Sequence, residues 1–139
     1  MSESGKLLGI DYGRARVGLA VTDALRISCK PLGHINRDSD EQTTTVLAAL
    51  IAQEQIAEIV IGLPLHAHGE AGENVDWVRA FCAVLKTKTT LPIHEVDERY
   101  TSSEAEAFLK DQGQWPADPG VIDARAACII LQRYLQGEQ

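Results

Sequence analysis

A chain of 139 residues, 45% hydrophobic and 24% charged, carries enough apolar material for one packed core and too little length for a second, so residues 1–139 read as a single domain. Thirteen basic against twenty acidic residues leave a net charge of −7, which excludes a uniformly basic coat for nucleic acid; a polyanion would have to meet a local basic patch or bound cations. Cys29, Cys82 and Cys128 are odd in number and far apart, which argues against a disulfide framework or Cys-x-x-Cys chemistry and fits a reducing cytoplasm. The opening residues lack a signal-peptide pattern and no apolar run nears the ~20 residues of a membrane helix, so the expectation is a cytoplasmic protein without a membrane partner.

From Lys6 the chain runs Leu-Leu-Gly-Ile-Asp, breaks at Tyr12 to Arg16, and resumes with Val17, Leu19 and Val21 alternating with Gly18, Ala20 and Thr22, a pattern that predicts two strands joined by a tight hairpin. A third strand is expected from Ser28 to Asn36, at an edge or a bulge because Pro31 removes a ladder donor. Ser39 with Gln42 forms a capping-box pair ahead of Val46, Leu47, Leu50 and Ile51 at helical spacing. Ile56 to Ile61 is a β-branched apolar run, stopped by Gly62 and Pro64, as expected of a central parallel strand covered on both faces. Val75, Val78, Phe81, Cys82 and Leu85 mark a second helical stripe, and a short strand runs from Pro92 through Val96. Thr101 and Glu104 form another capping pair before Ala105, Phe108 and Leu109, with Gly113 placed to end that helix. Ala124, Ala127, Cys128, Leu131 and Leu135 form the stripe of a long last helix. The order βββαβαβα, its last term standing for the closing helices, indicates an α/β fold: a mixed sheet with helices on both faces.

Three acids stand where such a sheet presents ligand sites. Asp11 ends the first strand; its bland role would be to cap the hairpin turn. Asp97 and Glu98 end the last strand, and because neighbours on a strand face opposite ways, only one of them can approach Asp11; parity does not say which. Asp123 heads the last helix on the face of Ala127, Ile130 and Tyr134, where an acid also suits the helix macrodipole. If three acids meet at one sheet edge, they offer hard oxygen ligands for Mg²⁺ or Mn²⁺. Two such ions, about 3.5–4 Å apart, can activate water for in-line attack on phosphorus, and they let an acidic protein engage a polyanion.

Gly9-Ile10-Asp11-Tyr12-Gly13-Arg14 with Val17-Gly18-Leu19-Ala20, Gly62-Leu63-Pro64-Leu65, Asp97-Glu98-Arg99-Tyr100-Thr101-Ser102 and Val121-Ile122-Asp123-Ala124-x-Ala126-Ala127 resemble the YqgF/RuvX family over nearly the whole chain. The resemblance implies an RNase H-like fold related to the RuvC Holliday-junction resolvases. It implies a metal-dependent endonuclease hydrolysing phosphodiester bonds in structured nucleic acid, whether in 5′ maturation of pre-16S rRNA or in resolution of branched DNA. It also assigns Asp11, Glu98 and Asp123 as the catalytic and metal-holding acids, and so selects Glu98 over Asp97. Mg²⁺ or Mn²⁺ is the implied cofactor, nucleic acid the implied partner, and a twofold homodimer the state a junction resolvase would need.

The chain departs from the family in two places. His66-Ala67-His68-Gly69 stands where the family usually shows Asn-Met-Asp-Gly, and Asp118-Pro119-Gly120 stands where lysines usually precede the last helix. Two loop histidines without a third ligand read as solvent-facing. Arg14 and Arg99, inside matched motifs, are the candidates for gripping the nucleic-acid backbone, whereas Arg16 and Arg125 read as partners of nearby acids. Trp77 reads as a packing residue of an amphipathic helix and Trp115 as a loop candidate for base stacking. Two other classes compete: a phosphotransferase of the sugar-kinase and actin type, whose Asp-x-Gly loop Asp11-Tyr12-Gly13 also fits, and a noncatalytic nucleic-acid-binding module. The short chain, without a second Asp-x-Gly hairpin, opposes the first; retention of all three acids opposes the second.

Overall fold

The structure, a computed structural model, describes residues 4–65 and 71–137, so His66 and His68 lie outside the described residues. Strands β1 (Lys6–Tyr12), β2 (Arg16–Thr22) and β3 (Cys29–Asn36) open the chain. Helix α1 (Asp40–Glu54), β4 (Ile56–Leu63), α2 (Ala71–Leu85) and β5 (Ile93–Asp97) follow, and α3 (Thr101–Asp111) and α4 (Pro119–Leu135) close it. Written out, the order is βββαβαβαα.

The sheet runs β3-β2-β1-β4-β5. Gly13 N–H donates to Arg16 O at 3.0 Å to close the β1–β2 hairpin. β4 is parallel to both β1 and β5, so the carboxyl ends of these three strands share one edge of the sheet, the place where open α/β sheets gather ligands. β3 lies at the opposite margin, and its register against β2 shifts between Leu19, facing Gly33, and Ala20, facing Pro31. Pro31 is thus accommodated by an edge and by a bulge together.

Strand alternation sorts the side chains of β1 onto two faces. Leu8, Ile10 and Tyr12 join Leu47 of α1 and Val78, Phe81 and Leu85 of α2 in one core, while Leu7 packs with Val60, Val96 and the α4 residues Ala127, Cys128, Ile130 and Leu131 in a second. Each large apolar side chain fully buried in this way contributes roughly 1.5–3 kcal/mol against exposure. Helices therefore cover both faces, and Asp11 falls by parity on the α4 side. That side is lined by Gly9, Gly18 and Gly62, which let α4 lie close. A Cβ at Gly9 would come within 2.6 Å of Leu131 Cγ, and one at Gly18 would overlap the backbone carbonyl of Asp123.

Several local expectations are corrected. Ser39 Oγ accepts from Gln42 N at 3.1 Å as the cap of α1, but Val46 faces solvent and Thr43 and Thr44 take the inner positions beside Leu47. β4 runs through Gly62 to Leu63, because the ladder to β5 continues past the glycine. Thr101 is the buried first residue of α3, not its cap. The cap position belongs to Tyr100, held at φ 64°, and no side chain closes that end. Gly113, at φ 71°, donates to Lys110 O where α3 stops, as a helix-ending glycine should. All five residues of the predicted α2 stripe are buried; Leu135 at the end of α4 is exposed.

Candidate active site

Asp11 sits one residue before the end of β1, opposite Gly18 of β2, whose missing side chain leaves room for α4 to bring Asp123 over the strand. Its bland role as a hairpin cap is not realised: the turn closes through the backbone of Gly13 and Arg16, and the Asp11 carboxylate makes no hydrogen bond among the described residues. Burial, and then the charge of Asp123, push its carboxyl up to about 7.

Glu98 follows β5, its N–H donating to Leu63 O at 3.0 Å, so it extends the pairing with β4 by one residue. Burial raises its carboxyl to about 8, and Asp11 and Asp97 push the same way against a lowering pull from Arg133. Glu98 Oε1 is buried with no hydrogen-bond partner. Asp97 turns elsewhere: its Oδ1 accepts from Arg99 N at 2.9 Å, and it lines a groove of about 440 Å³ with Arg99, Glu104, Gln132 and Arg133. The parity ambiguity is thereby resolved, with Glu98 the acid that feels Asp11.

Asp123 binds Arg16 Nε at 2.6 Å. Arg16 is thus the ion-pair partner expected of it, and a fixed positive charge already stands beside the acids. Among the described residues, no three of His, Cys, Asp and Glu are gathered closely enough to hold a metal ion as they stand. The arrangement is a chain of repelling carboxylates, Asp11 acting on Glu98 and Asp123 on Asp11, with Asp123 engaged by Arg16. The donor chemistry nevertheless suits a hard divalent cation: the ligand candidates are carboxylate oxygens, one of them buried and unbonded, in a place that destabilises uncompensated negative charge.

The two arginines picked for nucleic acid part company. Arg14 lines a cavity of about 290 Å³ with Tyr12, Gly13, Pro64, Asn74, Trp77, Val78 and Glu98, whereas Arg99 stands in the groove with Asp97, which Glu98 does not line. Arg125 covers Phe108 at 4.1 Å and pairs with no acid through its buried Nε. Trp77 packs against the core as expected but also carries Arg14 on its ring, and Trp115 is partly exposed, with Lys110 over its ring. The sequence reading missed Asn74, which holds Arg14, and Arg133, which donates to Asp97 O at 2.9 Å and pairs with Glu104. Neither carries a local motif that would have marked it.

A family model described as "RuvX: Holliday junction resolvase" matches residues 5–137. The chain belongs to the RuvX family. A protein of Anaeromyxobacter sp. (strain Fw109-5) named "Putative pre-16S rRNA nuclease" is 36% identical over 95% of this chain and 97% of its own length. One of the same name from Maridesulfovibrio salexigens is 40% identical over 94% of this chain and 97% of its own. Among solved structures, T. thermophilus RuvC in complex with a Holliday junction substrate superposes with a TM-score of 0.61 at 15% identity, covering 96% of each chain. Fowlpox virus resolvase with Holliday junction DNA gives 0.56 at 9% identity, covering 95% of this chain and 97% of that one. At such identities these likenesses show that the family member shares the RNase H-like fold, and no more than that. No helix among the described residues is long and apolar enough to cross a membrane.

Proposed function

We propose that this chain is a metal-dependent endonuclease that hydrolyses phosphodiester bonds in structured nucleic acid. One observation carries the reading: at the shared carboxyl edge of β1, β4 and β5, Asp11 and Glu98 are half-buried and raised to about 7 and 8, and Glu98 Oε1 is buried with no partner. A protein does not bury repelling carboxylates cheaply, and a divalent cation removes the cost. Asp11, Glu98 and Asp123 would hold Mg²⁺ or Mn²⁺, which when bound supplies charge neutralisation at phosphorus and an acidified water.

The chain's own groups do the remainder. The backbone of Asp11 is fixed by the β1 ladder, that of Glu98 by its bond to Leu63, and that of Asp123 by the close seat of α4 over Gly18, so only side-chain movement, with release of Asp123 from Arg16, is needed to bring the oxygens around an ion. Arg16, beside Asp123, supplies a fixed positive charge near the reacting phosphate, and Arg14 and Arg99 provide contacts for the strand on either side.

Precursor rRNA is the first substrate to test, because relatives 36–40% identical carry that name, whereas the junction-bound structures are 15% identical or less. Cleavage of precursor rRNA and of a four-way junction with Mg²⁺ or Mn²⁺, by wild type and by Asp11→Asn, tests the reading. It fails if neither substrate is cut or if the variant cuts equally well. A junction cut at two symmetric strands would require a homodimer, and solution mass with and without the junction decides that point.

A further inference from the structure

The cavity on the hairpin side of Glu98 has a composition that backbone contact does not explain. Its lining combines the apolar and aromatic Tyr12, Pro64, Trp77 and Val78 with Asn74, Arg14 and Glu98. Arg14 is not a free cation reaching into solvent. Its guanidinium lies 4.0 Å from the Trp77 ring centroid, and Nη2 donates to Asn74 Oδ1 at 3.3 Å. Trp77 in turn leans on Tyr12 at 4.4 Å, and Tyr12 stacks on Phe81 at 4.1 Å, so the platform is anchored in the core. The inner face of the guanidinium is used and Arg14 as a whole is exposed, so a planar cation presents its outer side in the cavity that Glu98 also lines.

We propose that this cavity receives one unpaired nucleobase of the bound strand, stacked on the Arg14 plane, next to the phosphate that is hydrolysed at the acids. The proposal rests on the nuclease reading above and names its substrate as a strand unpaired at the cut. At about 290 Å³ the space is near the lower end of the roughly 300–1,000 Å³ typical of small-ligand pockets, suited to a flat ring and too small for a base pair with its backbones. Guanidinium planes and aromatic rings stack on every base, so the pocket selects an unstacked nucleotide more than a sequence. A phosphate is a poorer occupant, since the Glu98 carboxylate lines this space and Arg14 is the one cation among its described lining residues. Asn74 and Trp77 are positioning residues: they hold the Arg14 plane.

The chain has two tryptophans, so Trp115→Phe leaves Trp77 as the sole reporter. In that background, with Asp11→Asn to prevent turnover, single-stranded RNA or DNA carrying 2-aminopurine is walked across the site in the presence of Ca²⁺. Emission of Trp77 and of the analogue should change at one position, and an abasic residue there should weaken binding about tenfold. Arg14→Lys should lose as much as Arg14→Ala, because lysine keeps charge without a plane. Asn74→Ala should weaken the intact strand while leaving the abasic one unchanged. The proposal is overturned if the abasic strand binds equally well, or if Arg14→Lys restores binding with an unaltered salt slope, which would mark a phosphate contact. Wild type cutting the strand while the abasic residue has no effect would sink the pocket and spare the nuclease reading. A base-dependent signal without cleavage of any strand would support the pocket and sink the nuclease reading.

Discussion

Two glutamates of this small sheet hold carboxylate oxygen away from solvent, and they have been treated in opposite ways. Glu58, near the start of β4, is 3% exposed and fully partnered: Arg26 donates to Oε2 at 2.8 Å, and His94, itself stacked on Tyr134, meets Oε1 at 2.6 Å. Burial alone would raise its carboxyl, but those bonds outweigh it and hold the group below the usual carboxylate range. Glu98, at the other end of the same sheet, keeps an unbonded oxygen and is pushed up to about 8. A carboxylate satisfied from within the fold belongs to the scaffold; one left unsatisfied is set up for something from outside.

The sharpest way to break that contrast is to remove each acid. Glu98→Gln and Asp11→Asn should each lower kcat by about a thousandfold, ~4 kcal/mol of barrier, while leaving the melting temperature unchanged or higher, since a costly buried charge is gone. Glu58→Ala should do the reverse, with about 3 kcal/mol of stability lost because Arg26 loses its carboxylate partner, and cleavage per folded molecule kept; denaturant unfolding and active-site titration read the two. If Glu58→Ala abolishes cleavage in folded protein, or Glu98→Gln unfolds it, the distinction is wrong.

Gly18→Ala tests the seat of α4 over the acids. The new methyl would meet the Asp123 backbone, which cannot rotate away, so about 1–3 kcal/mol of stability and a share of cleavage should be lost together. An unchanged melting temperature would show that the helix has slack.

The effect hardest to isolate is in pH. Asp11 and Glu98 titrate near 4 when unfolded and at about 7 and 8 when folded, so between these values the folded chain holds more protons than the unfolded one. Their contribution is complete below about pH 4 and is lost as pH rises through 7 to 8, so without divalent ions the melting temperature should fall from pH 5 to pH 8. Mn²⁺ should restore it, and more at pH 8 than at pH 5. A metal effect of equal size at both would sink the coupling.

Much of this was legible in the sequence where a periodicity or a turn residue spoke locally. The β1–β2 hairpin, the α2 stripe and the end of α3 at Gly113 follow from alternation, helical spacing and glycine. The three acids were legible only as a family pattern: how near Asp11, Glu98 and Asp123 come to one another depends on pairing across the sheet, which no single segment contains. Thr101 misled because Tyr100 takes a left-handed conformation that a capping motif does not announce. The Arg26–Glu58–His94 cluster went unread, although a glutamate inside the apolar run Ile56 to Ile61 was the clue to it. Arg14 was readable only by its charge, because the Trp77 plane it is pressed against is not visible in a sequence.

The glycines under α4 carry a consequence for anyone wishing to toughen this protein. Filling such positions with alanine is a common route to heat resistance, yet here every added methyl would lift the helix that carries one acid away from the strand that carries another. The spacing on which turnover depends is written in absent carbon atoms, and it leaves that route closed.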